Sequence, residues 1–159
     1  MNEIKATFLR KDLFVLLETA NPVITPGWGK MNTQEMIEHL AHFFDVSTER
    51  RKYDLVTPEE HLPKYKEFLL SEKQFRENTK APSSILGETP LPLETTGIEE
   101  AKMKLNESVN NFFDYFKGRP GYKTMHPAFG MLDFDEWVLL HYKHITHHLR
   151  QFGLMENTV

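Results

Sequence analysis

The segment from Asp133 to Gly153 carries both ends of a helix and a helical period between them, and it constrains the fold more than any other stretch. Asp133 can accept a hydrogen bond at the N-cap while Glu136, three residues on, reaches back to it. Gly153 supplies the left-handed residue that commonly follows a helix. At about 100° per residue, Phe134, Val138, Ile145, Leu149 and Phe152 gather on one side. A helix striped in this way has to bury the stripe against other elements.

Three other long segments offer partners. The first runs from about Asn2 to Ala20, with Ile4, Leu9, Leu13, Leu16 and Leu17 at helical spacing, and Asn21-Pro22 ends it. After a loop through Pro26-Gly27-Trp28-Gly29, Asn32 and Glu35 form a capping box for a helix that carries Met36, Ile37, Leu40, Ala41 and Phe44 to around Arg51. Thr96 with Glu99 opens another, bearing Ile98, Ala101, Leu105, Val109, Phe112, Phe113 and Phe116 and stopping at Gly118. A shorter helix is signalled at Thr57-Pro58-Glu59-Glu60, with Pro63 awkwardly close. Strand signals are few. The expected fold is all-α, a four-helix bundle with a long crossover connection, in a single domain over residues 1–159. The crossover, Ser71 to Thr96, has no sustained period and contains Pro82, Pro90 and Pro92; such a connection is a lid, a poorly ordered segment or an ordered strap.

Composition narrows the function classes. A formal charge of −4 gives no basic footprint, so nucleic acid is not an expected partner. No apolar run approaches a membrane span, and the charged start (Glu3, Lys5, Arg10, Lys11, Asp12) does not resemble a signal peptide, so a soluble cytoplasmic protein is expected. There is no cysteine, which removes disulfides, thiolate ligands and a cysteine nucleophile together. Any transition metal would be held by histidine and carboxylate, which suits borderline ions.

Histidine is where the chemistry concentrates. The run His141-Tyr142-Lys143-His144-Ile145-Thr146-His147-His148 places four of eight histidines on the last helix. His144 and His148 are four residues apart and share a face, a spacing that can grip one cation. On the wheel His141 and His148 lie within about 40° of the core direction and His144 within about 80°, whereas His147 points nearly 140° away. On the second helix His39 lies at the margin of the apolar arc beside Phe43, and His42 opposite it, so His39 is the better third ligand. The alternative is a buried hydrogen-bonded histidine network. Trp137 and the phenylalanines are expected in the core, Lys143, Arg150 and Glu38 on solvated faces, and His126 in a surface turn before Pro127.

These residues also resemble a known family. His126-Pro127-Ala128-Phe129-Gly130-Met131-Leu132, Glu136-Trp137 and the stretch from His144 to Gly153 are similar to the C-terminal signature of one branch of the DinB/YfiT-like superfamily, the domain of unknown function 1569. Gly29-Lys30-Met31-Asn32, Gln34-Glu35-Met36 and His39-Leu40-Ala41 resemble its N-terminal signature. The resemblance implies a four-helix bundle and a divalent metal, zinc or nickel, held by His39, His144 and His148. It further implies a small-molecule substrate and allows a homodimer. Characterised members of that superfamily include transferases and isomerases that use a low-molecular-weight thiol, and many others are only labelled metal-dependent hydrolases. A hydrolase acting through metal-bound water is therefore expected first, thiol transfer or isomerisation second, and a non-catalytic metal-stabilised binding or dimerisation module third.

Overall fold

A computed structural model describes residues 2–79 and 90–156. Helix α1 is composite: an α-helical start at Asn2–Thr7, a π-helical stretch at Phe8–Asp12, then Leu13–Leu16 and a 3-10 turn at Leu17–Thr19. Leu9, Leu13 and Leu17 are its buried stripe, and Ile4 is 77% exposed, outside the stripe it was expected to join. Helix α2 (Thr33–Ser47) begins with the capping box that Asn32 and Glu35 encode, each side chain bonding the other's backbone N–H. Helix α3 (Leu62–Leu70) follows a 3-10 turn at Glu59–His61. Pro63 stands in its first turn, where a missing N–H costs nothing.

Helix α4 (Ile98–Lys117) ends at Gly118 as expected, but its start differs from the Thr96–Glu99 box. Gly97 is the N-cap, and Thr96 instead donates from both its backbone N–H and its hydroxyl to the Glu100 carboxylate, at 3.2 and 2.6 Å. Helix α5 (Phe134–Gln151) has the Asp133–Glu136 capping box, and Gly153 follows it with φ +68°.

The all-α four-helix bundle is not what forms. The described residues contain five helices together with a small antiparallel sheet of β1 (Thr124–His126) and β2 (Gly130–Leu132), so the fold is mixed. Thr124 pairs with Leu132, Met125 with Met131 and His126 with Gly130. Strands of three residues are too short to show alternation, and Pro127 sits in the loop between them, which is why periodicity passes over them. Gly130 adopts φ +84°, the left-handed residue that closes a three-residue hairpin loop. The hairpin bridges two helices: Thr124 Oγ1 donates to Ser47 O at the end of α2 and accepts from Trp137 Nε1 of α5, each at 2.8 Å.

Helix α2 packs most extensively on α4, while α1, α2 and α3 all pack against α5. The core between them is aromatic and aliphatic, with Trp137, Phe44 and Phe112 fully buried as expected. Two side chains expected on solvated faces tie the crossover down. Lys143 is buried, its Nζ donating to Ser71 O and Lys73 O at 2.6 and 2.5 Å over the Phe68 ring. Glu38 accepts the backbone N–H groups of Glu94 and Thr95 at 2.9 and 3.0 Å and the Thr95 hydroxyl. Arg150, the third such expectation, is also buried. The described parts of the crossover therefore run as a strap across α2 and α5; Pro82 lies outside the described residues. No helix among the described residues is long and apolar enough to cross a membrane.

Candidate metal centre

The buried apolar faces of α2 and α5 set how the two helices are turned, and that brings three imidazoles from distant parts of the chain together. His39 Nε2 lies 2.8 Å from His144 Nε2, which lies 3.1 Å from His148 Nε2. One nitrogen from each of the three rings falls within 4.8 Å of the others. Phe43 packs edge-on against both His39 and His144, at 5.1 and 5.2 Å. The rings stand in the wall of a cleft of about 1480 Å³, which also meets Trp28, Tyr65, Phe68 and Phe129. His148 is buried and the other two are half-buried, so the cluster opens to that cleft.

Burial is the main cause of the low basicity here. It depresses His39 and His144 well below the ordinary imidazole range, and the neighbouring rings push in the same direction. Burial brings His148 down to about 4, against its hydrogen bond to the Gln151 side-chain oxygen, which acts the other way. All three rings are neutral at neutral pH.

Neutral imidazoles arranged in this way suit a cation better than one another. A neutral ring nitrogen offers a single in-plane site, either an N–H or a lone pair. His144 Nε2 therefore cannot make two aligned hydrogen bonds to the two nitrogens that flank it. Nitrogens bound at about 2.0–2.1 Å to one ion sit roughly 3 Å apart, close to the two separations that His144 Nε2 makes here. The donor set fits a divalent transition metal, and it contains no feature that selects one ion.

The remaining histidines do not join the cluster. His147, expected to point away from the core, is nonetheless buried, because Trp28 and Phe75 cover it at 5.4 and 5.8 Å. His42 is buried too, with Nε2 2.8 Å from Tyr53 Oη. His126, for which a loop position was favoured over a place in a pocket wall, faces the cleft. It stacks on Phe43 at 5.8 Å, and its Nδ1 accepts the N–H groups of Ala128 and Phe129 at 2.9 and 3.1 Å. Sequence reasoning missed Gln151, whose Oε1 is 2.6 Å from His148 Nδ1. Its position three residues beyond His148, one turn along the same helix, was the available signal.

No curated protein and no solved structure matches the chain. A family model described as a protein of unknown function (DUF1569) matches residues 63–155. That span takes in the hairpin, His144, His148 and Gln151, but stops short of His39 and the segment that resembles an N-terminal signature. Because the match covers more than half of the chain, the protein belongs to the DUF1569 family.

Proposed function

We propose that this protein is a divalent-metal-dependent enzyme, with zinc or nickel held by His39, His144 and His148 and a small molecule as substrate. The observation that carries the reading is the convergence of three neutral imidazoles on one point in the wall of an open cleft. An ion that served only to pin α2 to α5 would need no such opening. Hydrolysis of an ester or amide is the first reaction proposed, and kinship with the DinB/YfiT-like superfamily, resting on the signature residues, is part of the same reading.

When bound, a cation held by three uncharged ligands supplies Lewis acidity and makes a proton-bearing ligand acidic near neutral pH. The chain's own residues do the rest. The three rings are already unprotonated, so no proton competes for their lone pairs at neutral pH. Phe43, edge-on to both His39 and His144, restricts how those two rings can turn. Tyr65, Phe68 and Phe129 give the substrate an apolar wall, with ring pairs at 5.4 and 6.5 Å from the Phe129 ring.

The test is an assay of zinc- and nickel-loaded protein on panels of esters and amides, followed by an electrophile offered with several low-molecular-weight thiols. Turnover of an ester or amide without thiol supports the proposal. Turnover that needs a thiol replaces hydrolysis by thiol transfer at the same site. Silence in both arms, with a large rise in thermal stability on metal addition, assigns the ion a structural role instead.

A further inference from the structure

The hydrogens around Gln151 can be placed by elimination. The Trp28 carbonyl only accepts, so the Gln151 amide atom 2.8 Å from it is the NH2 nitrogen. The other amide atom is then the oxygen, which also only accepts, and it lies 2.6 Å from His148 Nδ1. Nδ1 must therefore carry the proton. In the neutral ring that leaves Nε2 bare, and Nε2 is the atom 3.1 Å from His144 Nε2.

The loop before α2 is shaped to hold this amide. Gly27 N–H donates to the Gln151 backbone carbonyl at 2.7 Å, which pins the loop to the same residue. Gly29 has φ +80°, and a Cβ there would stand 2.8 Å from Gln151 Nε2. Any other residue would be strained in its backbone and would push the amide out of line. The Trp28 ring closes the outer side against His147.

We propose that Gln151, held by the Gly27–Gly29 loop, is a positioning residue that locks His148 in its Nδ1–H form and turns the Nε2 lone pair onto the cation site. The cation is taken from the metal reading above; the lock itself stands without it. Groups that orient a metal-binding histidine in this way commonly govern affinity as well as tautomer.

Long-range 1H–15N spectra of the full metal-free chain, paired with zinc(II) titration against a competing chelator, test the proposal. Wild-type protein should show His148 protonated at Nδ1. Gln151→Leu should lose that preference and weaken zinc binding by about 10- to 100-fold. Gly29→Ala should do the same with the amide still present. Gln151→Glu keeps an acceptor for Nδ1–H and should retain the tautomer. An Nε2–H form of His148 in the wild type, or unchanged tautomer and affinity in Gln151→Leu, would overturn the lock. Should Gln151→Leu fail to fold, the wild-type spectrum and Gly29→Ala decide. A wild-type chain with the Nδ1–H form that takes up no zinc sinks the metal reading and leaves the lock supported.

Discussion

Helix α5 carries two buried imidazole environments one turn apart. At His144 and His148, ring nitrogens face other ring nitrogens at the wall of the cleft. At His141 the ring lies flat against Phe44, with centroids 3.9 Å apart, and against Trp137 at 5.2 Å, while Phe112 meets it edge-on. Its Nε2 has no hydrogen-bond partner among the described residues. Burial depresses the basicity of all three rings. A low pKa therefore does not mark the site. Convergence of lone pairs marks it, and His141 lacks that.

Removing one converging ring should have the largest effect. His39→Ala, His144→Ala and His148→Ala should each weaken zinc binding by more than the roughly 100-fold that loss of a supporting group costs. His147→Ala and His42→Ala should stay within a few-fold of wild type, because their rings bond or stack elsewhere. Isothermal titration with zinc separates the two groups. If His147→Ala were as damaging as the first three, the donor set would be misassigned.

Acid should act on both environments, with a sign set by the lowered values. The His126 pKa is brought down to about 3 by burial, against about 6.5 in the unfolded chain, and His141 is held well below its ordinary range. Between those limits the unfolded chain binds more protons than the folded one. Stability is thus fully present above about pH 6.5 and is lost as pH falls from there toward 3. His126 alone should remove about 2 kcal/mol between pH 7 and pH 5. The other buried histidines add in the same direction. Urea titrations at the two pH values measure the sum, and a stability indifferent to pH over this interval would contradict it.

The starts of α2 and α5 and most of the inward faces were legible in the sequence because they depend on neighbours in the chain, whereas the Thr96–Glu99 start and the inward placing of Ile4 were not what forms. Asn32 with Glu35, Asp133 with Glu136, and Gly153 are local signals, and each is used as written. The apolar stripes between them set how each helix is turned, which is how His39 on one helix and the His144–His148 pair on another could be picked out. What a distant segment lays over a helix leaves no such trace. Glu38 and Lys143 read as solvated because nothing near them shows that residues 71–73 and 94–95 return to cover them. His147 and Gln151 were misjudged or missed for the same reason, since Trp28 reaches them from more than a hundred residues away in the chain. The hairpin escaped because three-residue strands are below the length at which alternation can be seen.

Filling the orphaned site at His141 sharpens the comparison from the other side. A buried polar atom without a partner costs about 1–3 kcal/mol, and a phenyl ring keeps the stacking on Phe44 and Trp137. Against some overpacking, His141→Phe should gain about 1 kcal/mol at pH 7 by urea unfolding. It should also flatten the acid dependence by one proton while leaving zinc affinity within a few-fold. A loss of zinc binding would show that the two environments on α5 are coupled.

The smallest effect is expected at Glu38, beside His39 in sequence but turned away from the cluster. Its carboxylate holds the strap through the N–H groups of Glu94 and Thr95 and the Thr95 hydroxyl, all charge-assisted bonds. Glu38→Gln keeps one acceptor and loses the charge, so the strap should loosen locally by about 1 kcal/mol. Hydrogen exchange at the amides of Glu94 and Thr95 should quicken about five-fold, because a hydrogen-bonded amide exchanges through local opening. Gln34, which donates to the Thr95 carbonyl and hydroxyl at 2.9 Å, holds what remains. Zinc affinity should not move. A change in affinity comparable to that of His39→Ala would place Glu38 among the groups that serve the cation, and the boundary between strap and site would have to be redrawn at α2.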